Sequence, residues 1–152
     1  MPHDRPDPRR LDLRAYPLCL EALTQLSDLA RDMHVSNVKL AGFYDDARGQ
    51  LLQRLYTPEV RAAALRPLLA QARLDYRAEV PHPSTVRVGT AGGAVGRTSF
   101  TMLQAQFLGE TCVGLCEATF VNFGPSGPEP VSPAHRELLA ELGLRAPAAA
   151  QP

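Results

Sequence analysis

Residues 28–52 read DLARDMHVSNVKLAGFYDDARGQLL, and the stretch divides near Asn37 into two physically different halves. Asp28 to Asn37 is polar and has no period. It ends in Ser36 and Asn37, either of which suits a helix N-cap because its side-chain oxygen accepts a backbone N–H. From Asn37 onward Leu40, Tyr44, Ala47, Leu51 and Leu55 recur at spacings of four, three, four and four, which is one stripe of a 3.6-residue period. The spacing predicts a helix over 37–55 with Phe43 and Leu52 widening its apolar face. Gly42 and Gly49 inside it weaken a helix by about 1 kcal/mol each relative to Ala, which suggests that something packs close to the backbone there.

Outward from the helix, TPEVRAAALR (57–66) predicts a second short helix with Thr57 as cap, Pro58 in the first turn and Pro67 closing it. From Leu68 the period changes to two. Four strands follow: LLAQARLDYRAEV (68–80), STVRVGTAGGAV (84–95), TSFTMLQAQFL (98–108) and ETCVGLCEATFVNF (110–123). The links 95–98 and 108–111 are short enough for hairpins, so the sheet is antiparallel. Strict alternation puts Val113, Leu115, Thr119 and Val121 on one face of the last strand with Glu117. Cys112, Gly114, Cys116, Ala118 and Phe120 lie on the other, so both faces are covered. YPLCLEALT (16–24) reads as a further strand, and Ser132 caps a closing helix that ends at Gly143. Residues 1–15 and 144–152 carry no periodic pattern and are expected to be flexible ends around one domain over 16–143.

A chain of 152 residues with 45% hydrophobic and 21% charged residues suits a single globular domain. Sixteen cations balance sixteen acids, which gives no field to gather nucleic-acid phosphates or anionic lipid. Lys39 is the single lysine among fifteen arginines, a skew that reads as coding bias rather than as phosphate recognition. No apolar run approaches a membrane span, and MPHDRPDPRR (1–10) has no signal core, so a cytoplasmic protein without nucleic-acid or membrane partners is expected. Cys19, Cys112 and Cys116 are odd in number and lack a C-x-x-C pair, the pattern of small buried hydrophobes.

Several tempting motifs fail on chemistry. GTAGGAVGRTS (89–99) has Ala91 where a phosphate loop needs Gly and Arg97 where it needs Lys, and it opens no helix. Glycines relieving a curved or bulged strand explain it better. His34 has Asp28 and Asp32 in the same loop, and no third ligand has metal spacing, so no metal is expected. No G-x-S-x-G exists for a hydrolase triad. Asp45 and Asp46 read as a solvated helix face.

The order of loop, long helix, short helix and four antiparallel strands, with residues 28–52, resembles the hotdog-fold acyl-CoA thioesterases of the 4-hydroxybenzoyl-CoA thioesterase type. That family carries D-x-D-x-x-G-H-V-N-N and then a helix of the form Y-L-x-Y-F-E-E-A-R. Asp28, His34, Val35 and Asn37 fall in register with the first, and Phe43 through Arg48 with the second. Gly96-Arg97-Thr98-Ser99 is similar to the family's I-G-R-T-S hairpin, and Asp75-Tyr76 to its D-Y strand end. The likeness covers about residues 16–142. It implies an α+β hotdog fold, an antiparallel sheet wrapped around a long central helix, and hydrolysis of an acyl-CoA to free acid and coenzyme A. Coenzyme A enters as part of the substrate, with no other cofactor. The implied assembly is a homodimer or a dimer of dimers, with each groove between two protomers.

The resemblance also implies site residues. The family's working carboxylate is the second Asp of D-x-D, and that position holds Ala30; its Gly is Met33 and its first Asn is Ser36. Thioester hydrolysis needs a base for water and dipoles aimed at the developing oxyanion. Free N–H groups at the Asn37 end of the helix suit the second need. Asp32 and then Asp28 are the candidate carboxylates, with His34 and Asn37 beside them, although both acids also read as loop-ordering or capping groups. Val35, Ser36, Tyr44, Arg97, Thr98 and Ser99 are the candidate substrate contacts, Arg97 toward the nucleotide phosphates. Ala30 leaves a second reading open, an acyl-CoA or acyl-carrier thioester binding protein without turnover. A hotdog hydratase ranks third, because its D-x-N-P-x-H spacing is five residues and Asp28 to His34 is six.

Overall fold

The computed structural model describes residues 5–147. Along them run β1 (Leu18–Leu23), α1 (Asn37–Leu55), α2 (Pro58–Ala62), β2 (Arg66–Tyr76), β3 (Thr85–Val95), β4 (Ser99–Leu108), β5 (Thr111–Gly124), the two-residue β6 (Gly127–Pro128) and α3 (Pro133–Glu141). Every strand pair is antiparallel, in the order β1-β3-β4-β5-β2 with β6 on β5. The sheet curls around α1.

Helix α1 occupies the span its stripe predicts. Ser36 caps it, its Oγ accepting from Val38 N–H at 3.2 Å. Leu40, Tyr44, Ala47, Leu51 and Leu55 are all buried, against Val86, Val88, Met102, Ala118 and Phe120 of the sheet. Two glutamines on β4 fix the register of helix on sheet. Gln106 Nε2 donates to Leu40 O at 2.7 Å, and Gln104 Nε2 donates to Tyr44 O and Thr90 Oγ1, both at 3.0 Å. Arg48, also buried, donates from Nη1 to Gln104 Oε1 at 3.5 Å. Buried amides of this kind are costly unless paired, so these bonds hold α1 at one position along the sheet. Gly42 and Gly49 are not close-approach sites: a Cβ at either would meet nothing within 4 Å.

Helix α2 is capped by Thr57 as its sequence predicts, but Pro67 does not close it. Ala64 ends the turn at φ 53°, and Pro67 already belongs to β2, where an edge strand tolerates a missing N–H. The glycine-rich run is β3, with a register shift between Gly92 and Val95.

The largest departure is the N-terminal segment. Residues 8–15, expected to be a flexible end, form two 3-10 turns, Pro8–Leu11 and Leu13–Ala15. Asp7 and Asp12 cap them, each carboxylate accepting from the backbone N–H and the guanidinium of the arginine two residues on. Those arginines hold both carboxyls below the usual carboxylate range. Leu11, Leu13 and Tyr16 then pack on Ala91, Ala105, Phe107 and Leu115, the sheet face turned away from α1. Arg145 N–H bonds to Ala15 O at 2.8 Å, tying residues just past α3 to this layer. Residues 1–4 and 148–152 lie outside the described residues.

Strand β5 is therefore covered on both faces, although not by simple alternation. A shift between Gln106 and Phe107 of β4 puts Val113 in the core against α1 and Cys112 in the outer layer, the reverse of what period two predicts. Cys116 is buried and its thiol pushed up to about 11 by that burial, whereas Cys19 is exposed, against expectation. Among the described residues no helix is long and apolar enough to cross a membrane.

Candidate active site

The loop before α1 folds as a small hairpin. Met33 N–H bonds to Ala30 O at 3.0 Å and Ala30 N–H to His34 O at 2.8 Å. Met33 closes the turn at φ 67°, where a side chain costs roughly 1–2 kcal/mol. The hairpin then pairs with the chain that follows β2: Val35 N–H bonds to Val80 O at 2.8 Å, and His34 bridges Pro81. Through this pairing, residues some 45 apart in sequence meet at the N-terminus of α1.

Together they line a groove of about 410 Å³ that includes Ala30, Asp32, His34, Val35, Ser36, Asn37, Tyr76 and Glu79. His34 Nε2 lies 3.0 Å from Glu79 Oε2, which sets the imidazole edge against that carboxylate. His34 Nδ1 is buried without a hydrogen-bond partner, with Asp32 Oδ1 at 3.9 Å. Asp32 is held instead as a turn group, accepting from His34 N–H at 3.3 Å. Both carboxylates keep most of their surface in water, 69% for Asp32 and 73% for Glu79. Asn37 N–H, first of the helix, has no acceptor among the described residues and carries the positive end of the α1 dipole. Tyr76 Oη reaches Asn37 O at 3.3 Å across the groove.

Five of the sequence candidates thus come together: Asp32, His34, Val35, Ser36 and Asn37. Asp28 does not join them. It is buried, with Oδ2 accepting from Gln25 N–H at 2.7 Å to cap the Leu26–Asp28 turn, the capping role its residue type also allows. Tyr44 is 1% exposed under the sheet, with its hydroxyl unpartnered beside Gly114 and its pKa pushed up by burial, so it lines no groove. Arg97, Thr98 and Ser99 sit at the far end of the sheet. Tyr76 pairs with Gly114 and Ser99 with Val121, which separates the hairpin from the groove of the same chain by roughly 23 Å of β5 at about 3.3 Å per residue. Their backbone serves the fold there, Arg97 O accepting from Val131 N–H and Thr98 O from Asn122 N–H, both at 2.8 Å.

Glu79 is the residue that sequence reasoning missed. Nothing in its local pattern marks it, because its meeting with His34 depends on the pairing of 34–35 with 80–81.

A scan against protein-family models gives no match, and a search of curated proteins gives none. Among solved structures the chain is similar to the PA5185 protein of Pseudomonas aeruginosa, 22% identical over 90% of this chain and 98% of that one, with a TM-score of 0.74. It is similar also to a thioesterase from Thermus thermophilus complexed with coenzyme A and zinc, at 21% identity, 84% and 95% coverage and a TM-score of 0.74. A predicted thioesterase from Bacillus stearothermophilus matches at 20% identity, 86% and 98% coverage and a TM-score of 0.75. Likeness at such identities is one of fold, and with the antiparallel sheet curled around α1 it makes this an α+β hotdog fold.

Proposed function

We propose that the chain hydrolyses an acyl-CoA thioester at the N-terminus of α1, with Glu79 supplying the carboxylate that Ala30 lacks. The observation that carries this reading is the 3.0 Å contact of Glu79 with His34 in the same groove as Ala30 and the free Asn37 N–H. Glu79 accepts a proton from water, and the water oxygen attacks the thioester carbonyl carbon. The negative charge that develops on the carbonyl oxygen meets Asn37 N–H and the helix dipole. The C–S bond then breaks, and the leaving thiolate takes the proton from Glu79, which gives a free acid and a free thiol. His34 is a positioning residue, its imidazole standing against the Glu79 carboxylate in the groove. Asp32, the sequence candidate for the base, is the second carboxylate of the site. The solved thioesterases of the same fold, one of them complexed with coenzyme A, support this reading.

Release of free thiol from short, medium, long and aromatic acyl-CoAs tests it, with release above the buffer rate expected for at least one. Binding without release would favour the non-catalytic reading that Ala30 suggests, and the absence of both would overturn each.

The same reading includes a symmetric pair of chains. Strand β2 is an eleven-residue edge with Leu68 39% and Leu69 48% exposed and no charge between Pro67 and Ala72. Such an edge invites a second strand. Light scattering across a dilution series is expected to give about 33 kDa, twice the 16.5 kDa chain, or a multiple of it; a stable monomer with full activity would refute the pairing.

A further inference from the structure

On the sheet face away from α1, the N-terminal segment, the edge strand β2 and its neighbour β5 line a second, open cavity of about 1210 Å³. Four of its lining side chains are arginines, Arg5 and Arg10 from the segment, Arg73 from β2 and Arg77 just beyond it, against the carboxylates of Asp75 and Glu117. The pairings are loose: Arg73 Nε stands 3.8 Å from Asp75 Oδ1, and Arg10 Nη1 4.0 Å from Glu117 Oε2. Arg5 and Arg77 have no ion-pair partner among the described residues. Arg10 is the anchored member. Its side chain is 14% exposed, Nη2 donates to Cys116 O at 3.0 Å, and Nε is buried without an acceptor.

The preference of this chain for arginine over lysine does not explain the cluster, because composition does not choose location. Two of the four are delivered by a segment folded down by its own aspartate caps and by Tyr16, whose hydroxyl donates to Arg10 O at 2.9 Å. Like charges gathered in a cleft repel one another and attract anions, and guanidinium forks match phosphate oxygens. The cavity also adjoins the candidate active site, since Tyr76, Arg77 and Ala78 line both.

We infer that the outer cavity takes the nucleotide phosphates of coenzyme A, with the pantetheine arm crossing the end of β2 at Tyr76–Ala78 and the thioester lying in the groove at α1. This rests on the thioesterase reading, and it moves the phosphate contact from the Arg97 hairpin to the arginines of the N-terminal segment and β2.

The test uses adenosine 3′,5′-bisphosphate, the nucleotide end of coenzyme A, titrated into the full chain by calorimetry at low salt. It adds the Arg5→Gln/Arg73→Gln double variant, both of whose side chains are exposed, and Arg97→Gln, each checked for an unchanged melting temperature. The bisphosphate is expected to bind, and the double variant to weaken it roughly tenfold or more, while Arg97→Gln leaves it unchanged. In turnover, KM for an acyl-pantetheine is expected to exceed that for the matching acyl-CoA, and the ratio of the two to fall toward one in the double variant. No bisphosphate binding, binding unaltered by the double variant, or binding lost with Arg97→Gln would overturn the assignment. If no thioester is hydrolysed, the bisphosphate titration still decides the cavity, so the two readings fail separately.

Discussion

Glu79→Gln is expected to lower turnover of an acyl-CoA by roughly a hundredfold or more, the lower range of what a general base contributes. Glutamine keeps the size of the side chain and its place beside His34 Nε2, but it has no basic oxygen for the water proton. Because Glu79 is 73% exposed, the fold bears almost none of the change, and stability should move by no more than about 0.5 kcal/mol. The loss should therefore fall on kcat while KM and the thermal melt stay near wild type. Asp32→Asn is the comparison. Its oxygen mainly holds the His34 backbone N–H, a role that asparagine retains, so the loss there should be less than about tenfold. A reversed order, with Asp32→Asn inactive and Glu79→Gln active, would return the base to Asp32. Ala30→Asp in the Glu79→Gln background is a sharper check, since a carboxylate restored to the vacant loop position should recover part of the rate if both acids reach the same water.

Glu79 also marks where sequence reading stops. Helix α1 is legible to the residue, because Ser36 is a local cap and the Leu40-to-Leu55 stripe is a local period. Val35, Ser36 and Asn37 reach the groove because they are contiguous with that cap. Glu79 reaches it through a strand-like pairing between 34–35 and 80–81, and no spacing rule joins positions so far apart. Tyr44 fails for the opposite reason. It matches a family motif and also lies on the apolar stripe, and the stripe wins, because a face that packs on Met102 and Ala118 cannot also face a ligand.

The N-terminal segment was hidden by composition. Its prolines and charges read as a tail, yet Asp7-x-Arg9 and Asp12-x-Arg14 repeat one local device, a carboxylate that caps a turn and pairs with the arginine two residues on. The repeat was a usable signal. What it could not show was the destination: Tyr16 and Leu13 close over Ala105 and Phe107, which alternate onto the outer face of β4, and a bulge at Val113 of β5 adds Cys112 to that layer, a change of face invisible to period two.

Gly92→Ala is expected to cost about 3 kcal/mol or more, because the added methyl group meets main chain. Helix α3 closes the sheet by laying its last turn over β3, and the approach is between backbones: Gly92 N–H bonds to Leu142 O at 2.7 Å, and Gly92 pairs with Gly143. A Cβ at residue 92 would overlap the carbonyl oxygen of Leu139, which is main chain and cannot rotate away. Helix α3 must lift, which strains Leu139, itself 0% exposed in the core, and stretches the buried Gly92 bond. Overpacking costs roughly 1–3 kcal/mol and a lost buried hydrogen bond about as much again. At roughly 2–4 °C per kcal/mol for a chain of this size, the melt should fall by about 6–12 °C. Gly42→Ala isolates the cause. It adds the same methyl group to an exposed position of α1 with nothing within 4 Å, so helix propensity alone acts and the protein should gain up to about 1 kcal/mol. Opposite signs for the two substitutions would place the cost at Gly92 in the backbone contact with α3; a Gly92→Ala melt equal to wild type would mean that α3 rides higher on β3 than this geometry has it.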